Sequence, residues 1–195
     1  MRGKNFLMSN FFNENILAEQ PVIDWLKKMG YEYAFGPDIA PDGAFQERGD
    51  YRDVVLIGRL TRSIKRINPN IPDSKITEAV GIISKFNSQE LQVGNKEMYE
   101  LLTQGVKVDV KDRNGDLRGD YVKIIDFENI DNNEFLVVNQ FAVEGFSVRI
   151  PDVVIFINGI PIGIFELKNP TDKNATIADA FSQLHDTYKK DIPKI

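Results

Sequence analysis

Residues 151–168 read Pro-Asp-Val-Val-Ile-Phe-Ile-Asn-Gly-Ile-Pro-Ile-Gly-Ile-Phe-Glu-Leu-Lys and combine two apolar runs with charged ends. The runs, Val153–Ile157 and Ile160–Leu167, have the length and composition of buried strands. Between them lies Asn158-Gly159, a dipeptide typical of the two-residue turn of a β-hairpin. This stretch therefore predicts a hairpin that contains the most buried strands of a sheet.

Three charged residues lie at the open end of this predicted hairpin. Glu166 and Lys168 are two residues apart in a strand, so they face one side, while their apolar neighbours face the other. Two charges on one face of an apolar strand are costly unless that face is wet, paired or metal-bound. Asp152 opens the preceding strand at the same end. We therefore expect Asp152, Glu166 and Lys168 to form one cluster.

Such a cluster fits metal-dependent hydrolysis. Two carboxylates at one point suit Mg²⁺ or Mn²⁺, which prefer oxygen ligands. A neighbouring ammonium group can orient a water molecule or offset the negative charge that develops on a phosphoryl group. The spacing alone is weakly specific, however, and a surface hairpin with charged ends is the alternative interpretation.

The pairing register of the hairpin tests this hypothesis. A plain two-residue turn at Asn158-Gly159 would place Asp152 opposite Phe165 and would send Asp152 and Glu166 to opposite faces. Their convergence requires an offset of one residue. Pro161 has no N–H group for the strand ladder, so it lies where such a bulge is tolerated. We therefore predict an offset register.

The remaining sequence predicts an α/β fold with a mixed sheet flanked by helices. Residues 54–57 are apolar and fit either a strand or the start of a helix. We expect a single domain over residues 1–195, made of a lead-in (1–12), a mainly helical part (13–105), and a sheet core with a following helix (106–195). Apolar spacing predicts helices near 13–29, 58–67, 73–86, 95–105 and 177–188, and strands at 106–110, 121–127 and 135–143.

Composition narrows the classes of function. The 195 residues include no cysteine and one histidine, His185, which excludes thiolate metal sites, disulfides and multi-histidine centres. The formal net charge of −5 excludes a uniformly basic nucleic-acid-binding surface, although a local basic groove is compatible with it. The sequence shows no signal peptide and no membrane span, so we expect a cytoplasmic protein without a membrane partner.

The stretch Val148–Pro170 closely resembles the nuclease core of the R subunit of type I restriction enzymes. The resemblance covers most of the chain and also includes Asn95 and Gly105-Val106. Six further stretches fit the same family: Gly30–Tyr33, Arg59–Arg62, Ile67–Pro72, Lys123–Phe127, Asn132–Phe141 and Ala180–Pro193.

The resemblance implies a restriction-endonuclease-like core of the PD-(D/E)xK type, with an N-terminal helical elaboration. On the matching positions, Asp152 and Glu166 would hold Mg²⁺ or Mn²⁺, and Lys168 would assist the attacking water. Members of this superfamily often carry a further acidic residue on the first helix. Glu19 is the best-placed candidate for that metal ligand, and an exposed helix residue without such a role is the alternative.

The family also carries a glutamine and a tyrosine spaced Q-x3-Y on the following helix. Here Gln183 and Tyr188 are five residues apart, which departs from that spacing. On an α-helix five residues turn through about 500°, so the two side chains would point about 140° apart. Gln183 and Tyr188 are the candidates for this auxiliary role, and the predicted separation puts a joint role in doubt. A core residue with a polar tip is the alternative interpretation of Tyr188.

The resemblance further implies partners. R subunits are much longer and carry two ATP-dependent motor domains, whereas this sequence contains no G-x4-G-K-[ST] phosphate-binding loop. We therefore expect the motor domains to be absent from this chain and ATP to act only through them. Double-stranded DNA, the motor domains, and the modification and specificity subunits are the expected partners. Sequence recognition would belong to another subunit, so this domain would contact the DNA backbone.

Several smaller features have competing interpretations. Basic side chains on residues 58–67 and after the last helix are candidates for DNA-backbone contacts, with an ordinary solvated surface as the alternative. His185 reads as a partly exposed structural residue and Trp25 as a core residue on a helix face. The basic candidates are Arg59, Arg62, Lys65, Arg66, Lys189 and Lys190, with Lys194 following them.

Three alternatives to the restriction nuclease stay open from the sequence. The same core occurs in junction-resolving and repair nucleases, so the substrate could be a branched DNA. A second alternative is a docking module, inactive in isolation, that assembles with the motor. A third is a structural domain whose charged hairpin end is only surface.

Overall fold

The computed structural model describes residues 19–86, 91–111, 115–168 and 176–192, and it shows a mixed α/β fold. The predicted lead-in over residues 1–12 and the first residues of the helix predicted near 13–29 lie outside these residues, as does Lys194. The described helices are 19–28 (α1), Ile57–Ile67 (α2), Asp73–Ser84 (α3), Leu91–Gln104 (α4), Ile177–Ser182 (α5) and Lys189–Asp191 (α6), with a 3-10 turn at Ile130–Asn132 and a π-helical segment at Gln183–Tyr188.

The described strands are Glu32–Phe35 (β1), Val106–Lys111 (β2), Leu117–Val122 (β3), Phe135–Asn139 (β4), Val143–Glu144 (β5), Val148–Arg149 (β6), Val153–Ile157 (β7) and Ile160–Phe165 (β8). The principal sheet has four strands in the order β1-β4-β7-β8, and β1 pairs in parallel with β4 from Glu32 opposite Leu136 to Phe35 opposite Asn139. The β2–β3 and β5–β6 pairs form two antiparallel sheets of two strands each. A mixed sheet with helices agrees with the predicted fold class.

The chain divides into two compact units. The first comprises the described residues of Met1–Val54, Leu136–Ile155 and Ile162–Ile195. A buried apolar cluster in this unit brings α1 together with the strands that carry the charged hairpin end. Its fully buried members are Ile23, Leu26, Val137 and Val153, with Ile155, Phe165 and Leu167 packed against them.

The second unit comprises Val55–Phe135 and Phe156–Pro161. Strict alternation in β2 buries Val106 and Val108 and exposes Lys107 and Asp109, as the sequence predicts. These valines pack with the buried faces of α2 and α3, whose apolar residues recur at helical spacing. The members of this core include Leu60, Ile64, Ile76, Ala79, Ile83, Val122 and Ile124.

Some element boundaries differ from the predictions. The strand predicted over 121–127 runs instead over Leu117–Val122, because these residues pair with β2 along its whole length. Helix α4 already includes Leu91, before the predicted start at Asn95. Residues 54–56 lie outside any strand, and α2 begins at Ile57.

The part predicted to be mainly helical contains four helices and also a short strand, β1. One further expectation about the first unit is wrong. Trp25 is 56% exposed and Met29 is 58% exposed, so neither belongs to the core. The buried stripe of α1 instead passes through Ile23 and Leu26, three residues apart, which turns Trp25 outward. Met29 lies beyond the end of α1, in the turn that follows it.

No helix among the described residues combines the length and apolar composition needed to cross a bilayer.

Candidate active site

The β7–β8 hairpin brings Asp152 and Glu166 to one face. Its turn is the predicted two-residue turn, with positive φ at both Asn158 (52°) and Gly159 (80°). Further from the turn, a Cβ on Gly163 would lie 3.1 Å from the Ile155 side chain, so these residues share a face and oppose one another. The strand β8 therefore contains one extra residue between Ile160 and Gly163, which is the predicted offset beside Pro161.

The carboxylate of Asp152 is fixed by the opposite strand. Its Oδ2 accepts a hydrogen bond of 2.6 Å from the backbone N–H of Leu167. Burial, together with the charges of Glu166 and Glu19, raises the pKa of Asp152 to about 6, against the opposing effects of the Leu167 N–H and Lys168. Among the described residues, the ionised form of Asp152 is thus only partly compensated.

Glu166, Lys168, Gln183 and Tyr188 form a closed ring of hydrogen bonds. The Lys168 ammonium donates to Glu166 Oε1 at 3.1 Å and to Gln183 Oε1 at 2.8 Å. Gln183 Nε2 donates to the Tyr188 hydroxyl at 2.9 Å, and that hydroxyl donates to Glu166 Oε2 at 3.0 Å. Burial and the Glu166 charge together raise the pKa of Tyr188, so the phenol stays protonated and keeps its donor. The ring fixes the ammonium beside the carboxylate.

The expected separation of Gln183 and Tyr188 is wrong because the helix is not α-helical there. Residues Gln183–Tyr188 form a π-helical segment, and the N–H of Lys189 donates to the carbonyl of Leu184 five residues earlier. An i→i+5 turn brings residues five apart onto the same side. The π-helical turn thereby accommodates the one residue by which this spacing exceeds Q-x3-Y, and the side chains of Gln183 and Tyr188 come into contact.

Glu19 is buried on α1, with 1% of its surface exposed, so the interpretation as an exposed helix residue is wrong. Its Oε2 accepts from Asn139 Nδ2 at 2.7 Å, and its Oε1 accepts from Gln140 Nε2. Burial raises the pKa of Glu19 against the lowering effect of the two amides, and the Glu166 charge raises it further. Glu19 is therefore electrostatically coupled to the cluster.

Asn139 and Gln140 are site residues that were not among the candidates predicted from the sequence. Both lie within the stretch Asn132–Phe141 that carries the family resemblance. A signal was present, because two adjacent amides interrupt an apolar run between Val138 and Phe141. A buried strand has few positions for unpaired amides, so such a pair indicates a buried partner.

The donor chemistry is compatible with a divalent cation. Glu19, Asp152 and Glu166 influence one another's charge, while Lys168 is the cation that the structure places among them. This excess of carboxylate is what a hard cation with oxygen ligands would offset. Within the described ranges, however, no three acidic or histidine side chains come close enough to form a metal-binding group. Two carboxylates, Asp152 and Glu166, are therefore the candidate ligands, and the role of Glu19 as a ligand stays a prediction.

The basic candidates on α2 mostly have partners within their own unit. Arg59 is largely buried and pairs with Glu134 at 2.6 Å. Lys65 pairs with Asp73 at 2.9 Å, and Arg66 donates to the carbonyl of Asn132 at 2.9 Å, whereas Arg62 is exposed. Their assignment to DNA contacts stays a prediction, and Arg59 is the least accessible of the four.

The described basic residues and the histidine after Gln183 are exposed, in contrast to Arg59 on α2. Lys189 and Lys190 are exposed at the end of the π-helical segment, and their DNA contacts stay predictions. The side chain of His185 is 56% exposed, stacks on Phe181 with ring centroids 5.3 Å apart, and bonds to Asp186 at 2.9 Å. His185 is a partly exposed structural residue, as predicted.

Comparison with known families tests the family membership that the sequence resemblance predicts. The family described as "Type I restriction enzyme R protein N terminus" matches residues 11–195. The chain belongs to this family.

Two such relatives align with 94% of the chain. A protein of Methanocaldococcus jannaschii assigned as the MjaIXP type I restriction enzyme endonuclease subunit is 42% identical over 187 residues. The type I restriction enzyme HindI endonuclease subunit of Haemophilus influenzae is 36% identical over 185 residues. The chain spans only 18% and 17% of the lengths of these two relatives. It therefore corresponds to the N-terminal region of a type I restriction enzyme R protein.

Proposed function

We propose that this R-protein region is an endonuclease domain that hydrolyses DNA phosphodiester bonds with a divalent metal ion, on a PD-(D/E)xK core. The observation that supports it best is the fixed ammonium of Lys168, which the ring holds beside Glu166. Asp152 lies on the same face of the hairpin. An acid pair with an adjacent lysine is a set of groups suited to phosphodiester hydrolysis.

In this proposal each side chain has a separate role. Asp152 and Glu166 hold Mg²⁺ or Mn²⁺, and Glu19 adds negative charge or a further oxygen ligand. When bound, the ion polarises the phosphoryl oxygen and lowers the pKa of its water. Lys168 orients the attacking water and offsets developing negative charge. Gln183 and Tyr188 keep Lys168 and Glu166 in place. Gln183 accepts from Lys168, Tyr188 donates to Glu166, and Gln183 donates to Tyr188.

The proposed substrate is double-stranded DNA contacted through its backbone, in restriction of foreign DNA. The relatives are named as endonuclease subunits of type I restriction enzymes, which supports this substrate class. Modification and specificity subunits, and the motor domains of a full-length R protein, are the proposed partners. ATP would act only through those motor domains. The proposed location is the cytoplasm, where such an enzyme meets incoming DNA.

A supercoiled-plasmid nicking assay with Mg²⁺ or Mn²⁺ tests the proposal. We expect the 195-residue chain to nick the plasmid, and we expect EDTA, Asp152→Asn and Lys168→Gln to abolish nicking. Lys96→Gln is the matched control, because Lys96 is an exposed lysine on α4 of the other unit. It should nick at the wild-type rate.

Two results would contradict this proposal. Equal nicking by the wild type, Asp152→Asn and Lys168→Gln would assign the cleavage to a contaminant rather than to this site. Absence of nicking by the wild type would show that the isolated region does not cut. The small share of the relatives' length that the chain spans favours, in that case, a docking module that needs the rest of the R protein.

A further inference from the structure

Gln140 adopts an unusual backbone conformation next to the candidate site. Its φ is 54°, in the left-handed region that residues other than glycine seldom occupy. It directly follows the last residue of β4, Asn139. The neighbouring backbone is equally constrained, because a Cβ on Gly36 would lie 2.4 Å from the Gln140 carbonyl oxygen. The backbone of Gln140 therefore packs directly against that of Gly36, at a distance that only glycine permits.

The left-handed turn has a specific consequence for side-chain direction. In a regular strand, adjacent side chains point to opposite faces, so Asn139 and Gln140 would diverge. Here both amides donate to the two oxygens of one buried carboxylate, Glu19. The hydroxyl of Tyr33 donates to Asn139 Oδ1 at 3.0 Å, which turns the Asn139 N–H group toward Glu19.

The main chain of Gln140 reaches the other side of the site. Its N–H donates to the carbonyl oxygen of Asp152 at 3.2 Å. One residue thus binds the carboxylate of Glu19 through its side chain and the strand that carries Asp152 through its backbone. Backbone positions that are held in rare conformations by their surroundings cluster at functional sites.

Resting on the proposed nuclease function, we propose that Gln140 is a positioning residue, which fixes the Glu19 carboxylate relative to Asp152 through its side-chain amide. Gln140 touches neither the proposed metal ion nor the DNA. It acts through Glu19, as polar groups behind a metal site orient the groups in front of them. Removal of such supporting groups typically lowers metal affinity or activity by about 10- to 100-fold.

Two substitutions distinguish the contribution of the Gln140 side-chain amide from that of its backbone conformation. Gln140→Met keeps the length of the side chain and removes its hydrogen bond. Gln140→Gly also removes the amide but suits the positive φ, so the fold should tolerate it well. We expect both variants to bind Mn²⁺, measured by calorimetry, and to nick plasmid at least about 10-fold less well than the wild type. The melting temperature of Gln140→Gly should not fall.

Coupling to Glu19 is measured by a double-mutant cycle. In a Glu19→Gln background, Gln140→Met should cause almost no additional loss, because the carboxylate that it positions is gone. Gln46→Met is the matched control, since Gln46 donates to the backbone of Arg48 rather than to Glu19. It should leave Mn²⁺ binding and nicking unchanged.

The outcomes separate this inference from the proposed function. If the wild type nicks in an Asp152-dependent manner while Gln140→Met matches it, the positioning role is wrong and the nuclease stands. Additive losses in the cycle, or a loss that merely follows a lower melting temperature in both variants, would also overturn the role. If the wild type neither binds Mn²⁺ nor nicks, the proposed function falls and this inference falls with it.

Discussion

The carboxylate of Asp152 is buried beside Glu166 and Glu19, and this burial raises its pKa from the usual 3.8 to about 6. Between about pH 4 and pH 6, Asp152 therefore keeps its proton in the folded chain and has lost it in the unfolded chain. The folded state is therefore favoured most below pH 4, and this contribution is lost as the pH rises through about 6. At neutral pH, the buried and ionised carboxylate of Asp152 therefore lowers the stability of the folded state.

Asp152→Asn should therefore stabilise the protein at pH 7.5 while it abolishes the proposed activity. The shift corresponds to at most about 3 kcal/mol, and partial solvation reduces the expected gain to about 1–2 kcal/mol. Thermal unfolding at pH 4 and pH 7.5 measures it. The variant should gain at pH 7.5 and should gain little at pH 4.

The exposed Asp131→Asn serves as the control, since its carboxylate lies in a 3-10 turn outside the site. It should not change the difference in stability between the two pH values. A loss of stability in Asp152→Asn at pH 7.5 would mean that the bond from Leu167 N–H outweighs the burial cost of the charge.

Tyr188 is the second residue whose chemistry can be tested alone. Tyr188→Phe keeps the buried ring but removes the hydroxyl that bonds to both Glu166 and Gln183. A hydrogen bond to a charged group contributes about 1.5–3 kcal/mol, so we expect nicking to fall by about 10- to 100-fold. Tyr99→Phe, on an exposed tyrosine of α4, should nick normally. Normal nicking by Tyr188→Phe would show that the closed ring of hydrogen bonds is not needed for cleavage.

At the scale of elements, the sequence predicts periodic segments well and local irregularities poorly. Alternation in β2 and helical spacing in α2 and α3 are confirmed because a single buried face determines each pattern. Strand β1 has only four residues, with two of them exposed, so it leaves no period to detect. The end of β4 was missed because apolar residues continue past Asn139, and residue types do not show that Gln140 takes a positive φ.

In the candidate site, too, the regular features were predictable from the sequence and the irregular ones were not. The hairpin, its turn and its offset follow from Asn158-Gly159, Pro161 and the need to bring two carboxylates together. The meeting of Gln183 with Tyr188 does not follow, because an α-helix and a π-helical segment share the same apolar positions until their hydrogen bonds are known. An unexpected spacing between two polar residues is the available signal of such a segment.

The π-helical segment yields a prediction about length. Deletion of the exposed His185 should convert the i→i+5 turn into an α-helical turn with Gln183 and the tyrosine four residues apart, still on one face. We expect nicking within about threefold of the wild type and an unchanged or higher melting temperature, since π-helical turns are rarely favoured in themselves.

His185→Ala is the matched control for this deletion, because it removes the imidazole without changing the chain length. Both variants should keep the ring. If the deletion abolishes nicking as strongly as Tyr188→Phe while His185→Ala does not, the additional residue would itself be required for the geometry of the site.

At the scale of the whole chain, charge works against simple DNA binding. The net charge is −5, and Arg59, Lys65 and Arg66 have partners within their own unit. The carboxylates of the candidate site add local repulsion toward phosphate. Divalent cations would reduce that repulsion, so their effect should reach beyond the chemical step to the stability of the folded protein.

Mn²⁺ should therefore raise the melting temperature of the wild-type chain at pH 7.5. An ion present at ten times its dissociation constant stabilises the folded state by about 1.4 kcal/mol. For a chain of this size, that gain shifts the melting temperature by about 3–5 °C. Differential scanning calorimetry with and without Mn²⁺ measures the shift. Asp152→Asn and Glu166→Gln should each remove most of it, whereas Asp131→Asn should retain it. An equal shift in all three variants would place the bound ion elsewhere on the surface, because only Asp152 and Glu166 belong to the proposed pair of ligands.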